Sequence, residues 1–260
     1  GRLFAMSRWW KQVANVFWQL VLKDFRVRYR NMSLGMFWSL LNPLVMMAVL
    51  TFIFTRIFRS DVPNFPVFVL CGIVPFNFFS LSLLTGTTSL VDNANLIKRV
   101  AIPRTLVPFS TVIGNAMHTI IQMSLLLVFA LAFGYMPNVH WLWLPVIWLL
   151  TIIFVCGLSL ATAALNVIVR DMRYLVESTN VVLFWMVPIF YPFSAIPEDL
   201  RDVYQYNPVA ALVLALRQII MEDSSPASSL LVKLTVVSFA SLFFGGLLFQ
   251  RLQRRFYEHL

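Results

Sequence analysis

Residues 142–169 read LWLPVIWLLTIIFVCGLSLATAALNVIV, a run without a single Asp, Glu, Lys or Arg. A helix needs about 20 mainly apolar residues to cross the hydrocarbon layer of a bilayer, so this run is long enough to span one with some tilt. Outward from it, further apolar runs stand at 36–58, 67–84, 106–133, 176–191 and 230–249. Six transmembrane helices in an all-α membrane protein are therefore expected, the one at 176–191 being the shortest. The composition agrees: 60% apolar and 12% charged residues with a mean hydropathy of +0.80, against about 25% charged in ordinary soluble domains. A water-soluble fold could not hide 24 Phe, 8 Trp and 11 Met residues in a chain of 260, which excludes a soluble catalytic domain.

The net charge of +9 does not point to nucleic acid, because the basic residues sit at the edges of the apolar runs, as orientation signals do. With six spans, all but five of the 20 Lys and Arg residues fall on one side; Arg56, Arg59, Arg201, Arg217 and Lys233 fall on the other. Positive loops are retained in the cytoplasm, so both termini are expected there, in a multi-pass protein of the cytoplasmic membrane. The N-terminal stretch, with Trp9, Trp10, Phe17 and Trp18 among charges, does not read as a cleavable signal peptide. Instead Arg8, Gln12, Asn15, Gln19, Lys23, Arg26 and Arg30 recur at steps of three and four, with Trp10, Val13, Phe17, Leu20 and Val21 between them. That pattern predicts an amphipathic interface helix over 1–33, either a membrane anchor or a docking surface, ahead of a membrane domain over 34–260.

No charged residue occurs between Gly35 and Thr55, between Pro66 and Val91, from Thr105 through Val169, or from Ser178 through Pro197. An intramembrane charge costs about 2.5 to 3.5 kcal/mol even on lenient scales and marks ion pathways, so its absence argues against an ion-coupled carrier. His118 and Gln122, one helical turn apart, suit interhelical hydrogen bonding better than a proton relay, since no carboxylate accompanies them. No phosphate-cradling GxxxxGK[ST] loop, HExxH or GxSxG motif is present, and Cys71 and Cys156 lie inside apolar runs where they simply pack. The chain is expected to catalyse no covalent reaction and to bind no metal.

Between the spans, Asp92, Asn93, Asn95, Leu96, Ile97, Lys98 and Arg99 open a short amphipathic segment ending at Pro103, with Asp92 or Asn93 as its expected helix cap. Such a helix acts either as a rigid lever or as a positive topological anchor. Arg170 and Asp171 begin a very short loop that is either a tight turn or part of a contact. On the other side, the 192–227 stretch holds an apolar run at 209–221 that is too short to cross the bilayer; it suits a re-entrant or interfacial helix, and so a gate, or else a plain outer loop. Phe52 and Phe54, with Trp185, Phe190 and Tyr191, either pack against neighbours or line a pathway on which sugar rings stack.

These residues resemble a known family, the permease subunits of type-2 ABC exporters, particularly those that export lipid-linked polysaccharide such as O-antigen and wall teichoic acid. The resemblance rests on Lys23 through Asn31, on Leu34-Gly35-Met36-Phe37-Trp38 and on Asn42-Pro43. It continues through Arg170 to Tyr174, the Pro188 to Pro192 exit, and Asn207-Pro208 through Arg217. It implies a homodimer, each subunit with six spans, bound to two copies of a separate ATPase that holds ATP and Mg. It further implies that the N-terminal helix and the 92–104 segment contact that ATPase, and that the 192–221 region forms outer gate helices. The substrate implied is a glycan on polyprenyl pyrophosphate, with Arg28 and Arg30 as pyrophosphate contacts or, equally, as topological anchors. Exporters of other amphiphiles share such spans, and a proton-coupled carrier built on His118 and Gln122 is the rival outside the family.

Overall fold

The computed structural model describes residues 2–31 and 33–256, and among them it is helical with no strand. In chain order the helices are α1 (Arg2–Tyr29), α2 (Phe37–Phe52, prolonged by a π-helical turn at Ile53–Ile57), α3 (Phe65–Asp92), α4 (Ala94–Arg99) and α5 (Leu106–Ala132). They continue as α6 (Trp143–Ile168), α7 (Met172–Met186), α8 (Glu198–Gln205), α9 (Pro208–Ile220) and α10 (Ser228–Leu252). Five stretches among the described residues are long and apolar enough to cross a membrane: Phe37–Ile57, Phe65–Asp92, Leu106–Ala132, Val139–Ile168 and Ser228–Arg255.

The centre of the bundle is α3, packed against α2, α5, α6, α7 and α9. Its most apolar window is 78% buried, whereas the corresponding windows of α2 and α10 are 11% and 22% buried. The bare apolar faces of α2 and α10 therefore need lipid or another helix, not water, around them. Helices α6 and α10 share the most extensive contact, and their close approach is set by glycine: a Cβ on Gly157 would strike the backbone of Ser241 and Leu242, and one on Gly245 the backbone of Gly157. With those positions bare, Ser241 Oγ also reaches the Phe154 carbonyl at 2.9 Å. Small residues substitute for the hydrophobic drive that lipid removes.

The fifth expected span takes a different form. Helix α7 runs over 15 residues, about 22 Å at 1.5 Å per residue, which is short of the roughly 30 Å hydrocarbon layer. Pro188 ends it by forcing Val187 out of helical geometry (φ −74°, ψ 137°). The chain beyond is non-helical yet buried, with Val187, Ile189 and Phe190 all in the core. Buried non-helical backbone survives only if its polar groups are satisfied inside the protein. Here Arg217 of α9 does so: its guanidinium donates to the carbonyls of Pro188, Ile189 (2.6 Å) and Phe68 (3.0 Å from Nη2) and lies 3.5 Å over the Phe68 ring. Gly72 lets this segment reach α3, since a Cβ there would stand 2.7 Å from Ile189 Cα.

The charge count places Arg217 on the side opposite the termini without saying what surrounds it; the structure buries it, at 5% exposure. The rest of α9 is just as enclosed, nearly every residue from Pro208 to Ile220 being buried, so it packs inside the bundle and is not a surface helix. Asn207 starts it by accepting a hydrogen bond from Val209 N at 3.1 Å, with Pro208 in the first turn. By contrast α8 is exposed, and Glu198 and Asp199 sit in its first turn, where the helix dipole favours them. Glu222 and Asp223, which follow α9, are exposed as well.

Candidate functional site

At the end of the bundle that carries α1 and α4, polar side chains tie α1 to the spans. Arg28 Nη2 donates to Asn115 Oδ1 at 2.6 Å, and Asn115 Nδ2 in turn donates to Thr85 Oγ1 at 2.9 Å, linking α1, α5 and α3. Tyr29 Oη lies 2.7 Å from Ser39 Oγ and 2.5 Å from His118 Nδ1, and Gln122 Nε2 donates to the Ser39 carbonyl at 3.2 Å. His118 and Gln122 thus bond across helices. Asp24 is half-buried where α1 crosses α5 beside Gly114. Burial holds its carboxyl above the usual value, against the opposing pull of Lys23 and Arg28 and a hydrogen bond from Thr111.

Helix α4 presents the amphipathic face that its sequence implies. Asp92, Asn95, Lys98 and Arg99 are exposed, while Leu96 and Ile97 turn inward towards a cluster that includes Leu90, Val107, Phe249 and Phe256. Asn93 occupies the cap position but does not cap: its Nδ2 donates back to the Ser89 carbonyl at 2.8 Å, and its Oδ1 accepts from Lys23 Nζ at 3.0 Å. The side chain is spent on fastening α4 to α1. Arg104 closes the other side, donating to the Gln253 carbonyl at 3.2 Å with the Phe256 ring beneath it. Arg170 and Asp171 are exposed at the separate corner between α6 and α7.

Above these ties lies a cavity of about 570 Å3 between α2, α3, α5 and α7. Asn42, Asn77, Ser80, His118, Gln122, Glu177 and Asn180 line it together with Phe76, Phe184 and Trp185. No Lys or Arg is among the described residues that line it, and the carboxylate there, Glu177, is paired with Arg173 at 3.1 Å. Towards the far end, the rings expected to line a pathway form one cluster with a single exception. Phe54 stacks on Phe190 at 5.0 Å between centroids, and Phe190 meets Trp185 and Tyr191, each at 5.3 Å. Tyr191 also donates to the Met186 carbonyl at 2.8 Å, closing the open end of α7. The exception is Phe52, which is exposed and outside the cluster.

Arg28 and Arg30 are likewise separated: Arg30 is exposed, whereas Arg28 turns inward to Asn115. Sequence reading missed Asn42, Asn77, Asn115 and Asn180 because it searched the spans for charge. Neutral amides inside apolar runs were the available signal, since a buried amide demands a partner much as a charge does. Tyr29, Ser39 and the role of Arg217 carried no such signal.

A bundle of charge-poor spans beside a cavity lined by amides and rings, with an amphipathic helix fastened across one end, is an architecture suited to a membrane transport subunit. Residues 15–221 match the family profile described as ABC-2 type transporter, and the chain belongs to that family. It is an integral membrane protein. Among its relatives, an O-antigen export system permease protein, RfbA, of Klebsiella pneumoniae is 30% identical over 92% of each chain. The Myxococcus xanthus protein of the same name is 30% identical over 93% of this chain and 94% of its own. The polysialic acid transport protein KpsM of Escherichia coli is 26% identical over 89% of this chain and 91% of its own.

Proposed function

We propose that this chain is the membrane-spanning permease subunit of an ATP-driven exporter that moves polyprenyl-pyrophosphate-linked polysaccharide, O-antigen or similar, across the cytoplasmic membrane. The single observation that carries this reading is the near-full-length likeness to O-antigen export permeases. In it, α7 with its extended, Arg217-bonded exit serves as the fifth of six spans, α8 and α9 form the outer gate, and both termini are cytoplasmic. Two copies pair, and two copies of a separate ATPase, holding ATP and Mg, dock on the cytoplasmic side.

On this reading residues 1–33 and α4 receive the ATPase. The exposed row Asp92, Asn95, Lys98 and Arg99 supports it, as does the Lys23 to Asn93 bond, which makes α1 and α4 one mechanical unit. Arg170 and Asp171 extend the contact. Coupling requires the ATPase to bind two states of the membrane dimer differently, and a rigid α1–α4 unit gives its movement a route to Asn115, His118 and the cavity floor.

The test is reconstitution with the ATPase that co-purifies, and measurement of ATP-dependent movement of a labelled lipid-linked glycan. Lys98→Glu with Arg99→Glu should leave hydrolysis running while lowering transport at least tenfold. Unchanged transport would remove α4 from the coupling path. A chain that works with no ATPase in the complex, driven by a proton gradient, would overturn the whole reading.

A further inference from the structure

We infer that the groove between the first half of α1 and helices α5, α6 and α10 binds one acyl chain of an anionic phospholipid, with the headgroup phosphate held at Lys11. The site depends on the membrane setting of the chain and not on what the subunit exports. The groove holds about 480 Å3, within the range of about 300 to 1,000 Å3 typical of sites for small organic molecules. Trp10, Ala14, Phe17 and Trp18 of α1 form one wall. Leu106 and Ile113 of α5, Ile152 and Ile153 of α6 and Leu242 of α10 form the other.

These walls select an acyl chain. No Asp, Glu, Lys or Arg is among the described residues that line the groove, and its side-chain polar groups are the indole N–H groups of Trp10 and Trp18 and the Cys156 thiol. An enclosed water needs about two to four hydrogen-bond partners, which this lining does not supply. A soluble partner does not reach the groove either. Ile152 and Ile153 stand near the middle of α6 and Leu242 near the middle of α10, both in stretches long and apolar enough to cross a membrane. From there the groove runs to Leu106, the first residue of α5, so it extends along the spans as a lipid chain does.

The charge preference comes from α1. Residues 1–22 contain Arg2, Arg8 and Lys11 and no Asp or Glu. Helical spacing puts Trp10, Ala14 and Trp18 on one side of α1, and Lys11 falls beside them, three residues from Ala14 and seven from Trp18. All four are exposed, Trp10 and Trp18 to 60% and 54%. On the opposite flank, Val16 and Leu20 pack on the cluster that holds Leu90 and Val107. Helix α1 thus leans on the protein with one flank and overhangs the groove with the other. Indole rings beside a lysine, whose stem is apolar and whose tip is charged, suit the boundary between an acyl chain and a phosphate. The end of α1 is tied to α2, α4 and α5 by Tyr29, Lys23 and Arg28; a lipid chain supplies the packing beneath its first half.

The test places the purified full-length protein in phosphatidylcholine nanodiscs with a small fraction of a phospholipid whose acyl chain carries a diazirine. After illumination, peptide mass spectrometry locates the label. A phosphatidylglycerol probe should label residues 106–113 and 152–156 well above the bare face of α10 around Val232 and Phe239, which bulk lipid touches. The same chain on phosphatidylcholine should label the groove about fivefold less, the worth of one lysine near an anionic surface. Lys11→Gln should erase that difference and leave the chain in place. Ala14→Trp, at an exposed position that accepts the bulk, should cut groove labelling about tenfold. Unchanged labelling of the α10 face in the same sample reports that the bundle is folded.

Groove labelling no higher than on the α10 face, or unmoved by Ala14→Trp, overturns the proposal and leaves only bulk lipid there. Equal labelling by the two headgroups in the unaltered protein overturns it as well. Displacement of the label by polyprenyl phosphate but not by unlabelled phosphatidylglycerol would give the groove to a different lipid. Oxidative cross-linking of two copies through Ile153→Cys, absent from the unaltered protein, would show that a second subunit fills it. Either result sinks the assignment; displacement by phosphatidylglycerol without such a cross-link is the expected one.

Discussion

Replacing Arg217 by Met keeps a long apolar stem and removes the guanidinium. The Phe68 carbonyl lies inside α3 and keeps its helical partner four residues on, but those of Pro188 and Ile189 lie in non-helical chain and lose their donor. Two unsatisfied buried carbonyls cost about 1 to 3 kcal/mol each, and the lost contact with the Phe68 ring about 0.5 to 2 more. A central value of about 4 kcal/mol, at roughly 2 to 4 °C per kcal/mol for a chain of this size, lowers the melting temperature by about 10 °C. Thermal unfolding of the detergent-purified protein, followed by fluorescence-detected gel filtration, reads this directly. Arg217→Lys should fall between the two, because an ammonium cannot reach all the carbonyls as a fork does. Arg56→Met, at an exposed position, should change nothing. A melting point for Arg217→Met within about 2 °C of wild type would show that the extended exit of α7 does not depend on Arg217.

Three further outcomes are expected. Asp24→Asn should raise the melting temperature at pH 7 to 8, because burial holds the native carboxyl above its ordinary value and so makes its ionised form destabilising. That advantage should shrink as the pH falls through the raised value and vanish below the ordinary 3.8, which melting curves at successive pH values will follow. Gly157→Ala should destabilise by about 1 to 3 kcal/mol, since its Cβ meets backbone on α10 that no rotamer change can move aside; denaturation midpoints check it. Tyr29→Phe should cost only about 1 kcal/mol, because Ser39 Oγ and His118 Nδ1 are already 3.3 Å apart and can bond each other, whereas adding Ser39→Ala should cost more than the two single changes together.

The spans surrounding the cavity were legible in the sequence because lipid imposes a length and a charge rule on every segment that crosses it, and both can be counted along the chain. So too was the amphipathic face of α4, which follows from the spacing of Asn95, Lys98 and Arg99 against Leu96 and Ile97. The extent of α7 was harder to read. The apolar run at 176–191 includes residues that are buried without being helical, and hydropathy does not distinguish the two. Pro188 was the local clue to where the helix stops.

Composition and patterning by themselves determined that the chain lives in a membrane, that its charge is kept to the ends of the spans, and that a short helix lies between the second and third of them. Those properties depend on each residue's own transfer free energy, which needs no knowledge of neighbours. Only the tertiary structure decided that Arg217 belongs to the core, that Asn93 fastens α4 to α1 instead of capping it, and that Asn77 and Asn180 share a cavity wall. Each depends on which groups meet across helices distant in the chain, and a hydrogen bond's worth is set by the partner it finds there.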